Sequence, residues 1–285
     1  MLSYRHGFHA GNSADVLKHW VIERVLSYLT QKDKPCFYGD THAGAGMYFL
    51  NSDIANKTAE YQRGVKKLFG GAAAPLAFSR YLSLLSQCEA EVGPDAYPGS
   101  PWWAAKILRA SDRLNFCELH PQDYPKLEQL FKRDKRVKVF NEDGFIKSVA
   151  LMPPPEKRGL VVIDPSYEIK SDYEKVVQHI VALHKRFATG TYALWYPVVD
   201  AARVAKLEHR FIQAGLKNTQ LFELQTELPE NGGMYASGII VVNGPWTLTQ
   251  DAQEVLPWLS QCLSSSAVKA QGKDAGFRIK TLCSE

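Results

Sequence analysis

Apolar residues at Val16, Leu17, Trp20, Val21, Val25 and Leu29 recur at helical spacing through residues 14–29. They form one face of a helix that Asn12 and Asp15 open as a capping box. Lys32 to Pro35 ends that pattern, and Cys36-Phe37-Tyr38 leads as a short strand into Asp40. Short apolar runs predict further strands at 114–117, 137–140, 160–163, 192–195, 220–224 and 239–242. Helical patterns at 121–131, 172–187 and 201–213 separate most of them. Such alternation predicts a mainly parallel sheet with helices on both faces. The last two strands are joined by a loop at 229–233 with no helix, so an antiparallel strand is expected at that edge. The pattern describes a seven-stranded α/β sheet of the Rossmann-like kind.

One connection is too long for this scheme. Gly46 and Phe116 stand about 70 residues apart, whereas a βαβ crossover is complete in roughly 30. The excess holds helical patterns at 58–69 and 76–88, divided by Gly70-Gly71 and Pro75. Residues 52–97 are read as an inserted helical subdomain, and residues 1–51 with 98–285 as the main domain. Lys57, Arg63, Lys66 and Lys67 make the first inserted helix basic, which suits either a solvated face or a nucleic-acid surface. The chain re-enters the core at Ser100-Pro101, read as an N-cap followed by proline in the first turn. The tail after Ser264 carries no assignable pattern.

Composition narrows the class without naming a function. The 285 residues are 45% hydrophobic and 22% charged, a globular balance able to bury one large core. No apolar run approaches the roughly 18–20 residues of a membrane span, and Met1 to His6 has no signal-peptide character. Five cysteines without a CxxC pair argue against a disulfide framework and a structural zinc site. A cytoplasmic, reduced, monomeric protein without a metal is therefore expected. The net charge of +4 permits a polyanionic partner but does not demand one.

The candidate chemistry sits at strand ends. Asp40-Thr41-His42-Ala43-Gly44-Ala45-Gly46 follows the first strand, where an open α/β sheet binds its ligand. The paired glycines allow close backbone approach, although nicotinamide, flavin and methyl-transfer enzymes share such a turn. Glu118 ends the next strand, where a carboxylate can accept both ribose hydroxyls of an adenosyl cofactor. Asp143-Gly144 is either an ordinary turn or a receptor for that cofactor's adenine. The sharpest signal is Asp164-Pro165-Ser166-Tyr167, directly after the apolar strand 160–163. The lone pair of an exocyclic adenine nitrogen is delocalised into the ring. Asp164 and the Pro165 carbonyl can each accept one N–H and so draw that nitrogen towards tetrahedral geometry. Asp164 can also take the released proton, while Tyr167 can stack on an extruded base. The segment from Tyr4 to His19 is rich in aromatic and basic residues. Lys18 and His19 within it face either the cleft or solvent.

With these motifs in view, the chain resembles amino-methyltransferases that carry a D/N-P-P-Y/F motif. More narrowly it resembles the RlmJ family of 23S ribosomal RNA adenine-N6 methyltransferases. The likeness spans nearly the whole chain. It includes Leu2-Ser3-Tyr4-Arg5-His6, Asp15-Val16-Leu17-Lys18-His19, Tyr97-Pro98-Gly99-Ser100-Pro101 and Leu194-Trp195-Tyr196-Pro197. The resemblance implies a Rossmann-like methyltransferase fold with an inserted helical subdomain. It implies an S-adenosylmethionine (SAM) site of His19, His42, Ser100, Glu118, Asp143, Gly144 and Asp164, with Asp164 as the catalytic acceptor. Tyr4 would lie near the RNA, on an N-terminal tail that closes over the target adenine. Where the family motif reads Asp-Pro-Pro-Tyr, this chain has Ser166, which removes a locked φ and puts rate, not reaction type, in question.

Three other readings compete. A DNA adenine-N6 methyltransferase would use the same catalytic loop, but an insertion of about 45 residues is short for reading a major groove. A non-catalytic RNA-binding protein would have no use for Asp164 and the cofactor positions. A nicotinamide-dependent oxidoreductase is weakened by the absence of a GxGxxG pattern.

Overall fold

The computed structural model describes residues 4–69, 73–168, 172–231, 233–272 and 276–284. Leu2, Ser3 and the Gly70-Gly71 break lie outside them. Helix α1 (Ser13–Leu29) opens on Asn12, whose side chain accepts the Asp15 N–H. Strand β1 (Phe37–Asp40) follows, and then β2 (Met47–Phe49). The segment read as an insertion contributes α2 (Asp53–Thr58), two 3-10 turns and α3 (Leu76–Val92). Strand β3 (Ala96–Pro98) returns antiparallel to β2 and closes the insertion's base.

Next come α4 (Ser100–Ile107), β4 (Arg113–Cys117), α5 (Tyr124–Phe131), β5 (Val137–Phe140), α6 (Gly144–Ala150) and β6 (Gly159–Ile163). The chain continues through α7 (Asp172–Arg186), β7 (Thr191–Val198), α8 (Ala201–Ala214), β8 (Thr219–Gln225) and β9 (Ala236–Val242). It ends with α9 (Thr247–Leu263), α10 (Ser266–Lys269) and β10 (Phe277–Cys283).

The main sheet runs β10-β8-β9-β7-β6-β1-β4-β5. Strands β5, β4, β1, β6 and β7 are mutually parallel. Every residue of β1 and β6 is buried, as expected of strands covered on both faces. Helix α1 packs on α3, α4 and α9 and against β6, β8 and β9, which explains why its Lys18, His19 and Glu23 are buried along with its apolar stripe. Among the described residues no helix is long and apolar enough to cross a membrane.

Four expectations require correction. The sheet has eight strands, not seven. Strand β9 is antiparallel, as the short loop implied, but it is interior, paired to both β7 and β8. The edge belongs to β10, antiparallel to β8. Its apolar residues are interrupted by Arg278 and Lys280, which pair with Glu208 and Glu223, so it presents no continuous apolar run. Such charges are how an edge strand resists further pairing.

The helix expected at 58–69 is not one helix. Ala59 takes a left-handed φ of 50° and ends α2, and short turns follow around Gly64. A Cβ at Gly64 would lie 2.1 Å from the Gly11 carbonyl oxygen, so the chain bends there to bring Val65 N–H onto that carbonyl at 2.8 Å. Lastly, Gly99 caps α4, and Ser100 is its first residue. The serine hydroxyl is engaged elsewhere, donating to Asp40.

Candidate active site

Loops leaving the carboxyl ends of β1, β4, β5 and β6 surround a cleft of about 950 Å³. All the residues expected at the cofactor, His19, His42, Ser100, Glu118, Asp143, Gly144 and Asp164, line it. Gly44, at φ 62°, turns its N–H onto Glu118 Oε2 at 2.7 Å, and the His120 N–H reaches Oε1 at 2.6 Å. Burial nevertheless pushes the Glu118 carboxyl above its usual range. Each carboxylate oxygen has a second lone pair, so capacity remains for two ribose hydroxyls. Asp143 Oδ1 caps α6, accepting Phe145 N–H at 2.8 Å. A Cβ on Gly144 would sit 1.9 Å from the Thr41 carbonyl oxygen, so only glycine lets these two loops meet.

Burial sets the charge states deeper in. His19 is pushed down to about 3 by desolvation and is neutral. Its Nδ1 bonds the Tyr97 hydroxyl at 3.1 Å, and its ring stacks on Trp103 at 5.7 Å. Burial also lowers His42, whose ring meets the edge of Phe145 at 5.0 Å. Asp40 is pushed up to about 6 by burial, against the opposing hydrogen bonds of Ser100, at 2.7 Å, and Tyr38. Together these walls form a mostly uncharged recess with carboxylates at defined points, a chemistry that suits an adenosyl group.

A second cleft, also about 950 Å³, opens on the other side of the Asp164 loop. Tyr4, His6, Lys18, Asp164 and Ser166 line both clefts. Asp164 thus stands in the wall where two ligands could meet. Lys18 Nζ lies 2.6 Å from Asp164 Oδ2 and 3.0 Å from Asp15 Oδ1. Asp15 Oδ2 accepts from His6 Nε2 at 2.8 Å. Burial alone would raise the Asp15 carboxyl, but His6 and the Lys18 ammonium hold it well below the usual range. Burial likewise opposes charge on Lys18, and the two carboxylates overcome it. Among the described residues Asp164 Oδ1 has no hydrogen-bond partner.

Tyr4 is 37% exposed and stacks on His9 at 5.5 Å. His9 is clasped by Glu60 of the insertion at 2.8 Å, so the insertion seats the N-terminal segment. Tyr167 lines only the second cleft. Its hydroxyl donates to the Trp195 carbonyl at 2.8 Å and its ring packs on Tyr173 at 4.6 Å. Sequence analysis leaves Lys18 undecided, gives Asp15 only a helix-capping role, and assigns none to His6 or the second cleft. The one usable signal was Asp15 and Lys18 three apart on a helix otherwise apolar on that face.

The chain matches the family model described as ribosomal RNA large subunit methyltransferase D, RlmJ, over residues 33–273. It is 46% identical over 261 residues to ribosomal RNA large subunit methyltransferase J of Escherichia coli K12, covering 91% of this chain and 93% of that one. The enzyme of the same name from Haemophilus influenzae is 45% identical over 267 residues, covering 92% and 94%. A solved structure of a Legionella pneumophila protein superposes with a TM-score of 0.85 at 37% identity, covering 96% of this chain and 98% of that one.

Proposed function

Since the chain belongs to the RlmJ family of ribosomal RNA large subunit methyltransferases, we propose that it methylates the exocyclic N6 of an adenine in 23S rRNA, with SAM as donor. It would act in the cytoplasm, as a monomer, on deproteinised or early-assembly RNA. The observation that carries the reading is the meeting of two clefts at Asp164, one fitted to an adenosyl group and the other open to solvent beside aromatic side chains.

When bound, SAM supplies an electrophilic methyl group on a sulfonium sulfur. Glu118 would hold its ribose, Asp143 and Gly144 would receive its adenine edge, and His19, His42 and Ser100 would shape the remaining wall. Lys18 occupies Asp164 Oδ2 and fixes the carboxylate's orientation, leaving Oδ1 to accept one N–H of the target amine. The Pro165 carbonyl accepts the other. Both contacts would raise electron density on N6, and Asp164 would take the proton that N6 gives up once it is methylated. Preorganised acceptors of this kind are usually the largest single catalytic contribution. Tyr4 and Tyr167 flank the passage by which an extruded base reaches Asp164.

Glu118→Ala is expected to weaken SAM binding by about 1.5–3 kcal/mol, roughly 10–100-fold, with turnover largely restored at saturating SAM. Calorimetry showing unchanged SAM affinity would place the ribose elsewhere. The reaction itself is tested by methyl transfer to four substrates: a short hairpin carrying an unpaired adenine, deproteinised 23S rRNA, assembled large subunits and duplex DNA. Unstacking is cheapest where the base is unpaired, so the first two should be methylated fastest, with N6-methyladenine as the product. Faster methylation of duplex DNA would overturn the RNA assignment. Activity confined to assembled subunits would exclude free RNA as the substrate.

A further inference from the structure

The second cleft has a division of charge that the chemistry at Asp164 does not use. Its floor is aromatic, with Tyr167, Tyr173 and Trp195. Trp195 Nε1 is buried and has no hydrogen-bond partner among the described residues. Its rim carries four cations from three parts of the chain. Arg63 and Lys67 come from the insertion, Arg203 from the first turn of α8, and Lys269 from the end of α10.

The carboxylates in the same cleft are largely engaged. Asp15 and Asp164 hold Lys18 between them, and Glu60 accepts from His9 and Asn12. Glu227 faces Arg63 at 3.7 Å across the cleft, with the arginine side chain 67% exposed. Arg203 stands 3.5 Å from Asp200 on its own helix. Lys67 and Lys269 are exposed, and neither has a carboxylate within 4.0 Å among the described residues. Unbalanced positive charge therefore sits on the rim, above an aromatic floor.

A cationic track over stacking surfaces is the physical pattern that holds unpaired nucleic acid. We propose that this cleft binds the RNA nucleotides flanking the target, with their phosphates gripped between Arg63 and Lys67 of the insertion and Arg203 and Lys269 of the C-terminal half. The proposal rests on the RNA-methylation reading above and adds to it the residues that hold the strand. Arg63 exchanges Glu227 for a phosphate on binding. An exposed ion pair is cheap to part, and a guanidinium matches phosphate in two-point geometry. Contacts of this kind hold the backbone without reading sequence, so the insertion supplies affinity and not base choice.

The test is the salt dependence of binding to a short RNA hairpin with an unpaired adenine in its loop, measured by filter binding over a potassium chloride series. Each phosphate contact on a single strand contributes about 0.7 to the slope of log affinity against log salt. Arg63→Ala/Lys67→Ala and Arg203→Ala/Lys269→Ala are each expected to reduce the slope by about 1.4 and to weaken binding about tenfold at low salt. SAM affinity serves as the control for folding and should not move. Glu227→Gln releases Arg63 and should tighten binding about threefold, a gain that misfolding cannot produce. Slopes equal to wild type in both double variants, with the wild type still methylating the hairpin, would overturn the proposal. A wild type that ignores the hairpin but binds and methylates duplex DNA would instead overturn the RNA reading beneath it.

Discussion

Asp164→Ala is expected to lower methyl transfer by about 10²–10³ at saturating SAM and RNA while the fold persists. The buried strand β6 delivers Asp164 to the junction of the two clefts. Lys18 fixes one of its oxygens and leaves the other without a partner among the described residues. On the proposed mechanism, alanine removes both the acceptor that polarises the amine and the base that takes its proton. Asp164→Asn keeps the shape and one accepting oxygen but cannot receive that proton, so it should fall nearly as far. Single-turnover assays with purified variants separate chemistry from binding. An alanine enzyme keeping more than a tenth of wild-type turnover would remove Asp164 from the mechanism.

The second large effect is on stability. Lys18→Met leaves Asp15 and Asp164 facing each other without the ammonium that now lies within 3.0 Å of both. Removing one partner of a buried ionic cluster typically costs about 3–5 kcal/mol, roughly 5–8 °C in Tm for a chain of this length. Activity should fall as well, because Asp164 loses its orientation. The control is Lys18→Met/Asp15→Asn, which removes the stranded charge. It should recover part of the lost stability without recovering activity. A Lys18→Met protein melting within 1–2 °C of wild type, a margin of less than about 1 kcal/mol, would show that the ion cluster is not holding this junction together.

The parallel half of the sheet was legible because its strands are short apolar runs bounded by glycine, proline or charge, and each ends on a residue with its own chemistry: Asp40, Glu118 and Asp164. Strand β10 was not, since half of its residues face solvent and its charges are satisfied by Glu208 and Glu223, far away in sequence. The helix read at 58–69 failed for a related reason. Its periodicity is real, but the approach of Gly64 to the Gly11 carbonyl is a tertiary demand that no local pattern displays. The site shows the same division. Glu118 and Asp143 follow from strand ends, whereas the pairing of Lys18 with Asp164 joins residues 146 apart. A lysine that folding buries between two carboxylates looks, in sequence, like any lysine on a helix.

The interior position of β9 orders the protein's assembly in time. Every described residue lining the cofactor cleft has been synthesised once His179 is made, whereas the second cleft needs the chain as far as Lys269. Those 90 residues take about 5–18 s at typical translation rates of about 5–20 residues per second. Within that interval, from the completion of β7 at Val198 until β9 (Ala236–Val242) is made, β7, whose residues are nearly all buried in the finished sheet, presents an open edge, because its antiparallel partner has yet to emerge. β8 leaves the ribosome first but has to wait for β9 before it can join the sheet. The nascent chain therefore completes the lining of the first cleft before that of the second, and between β7 and β9 it carries an open strand edge of the kind that invites aggregation.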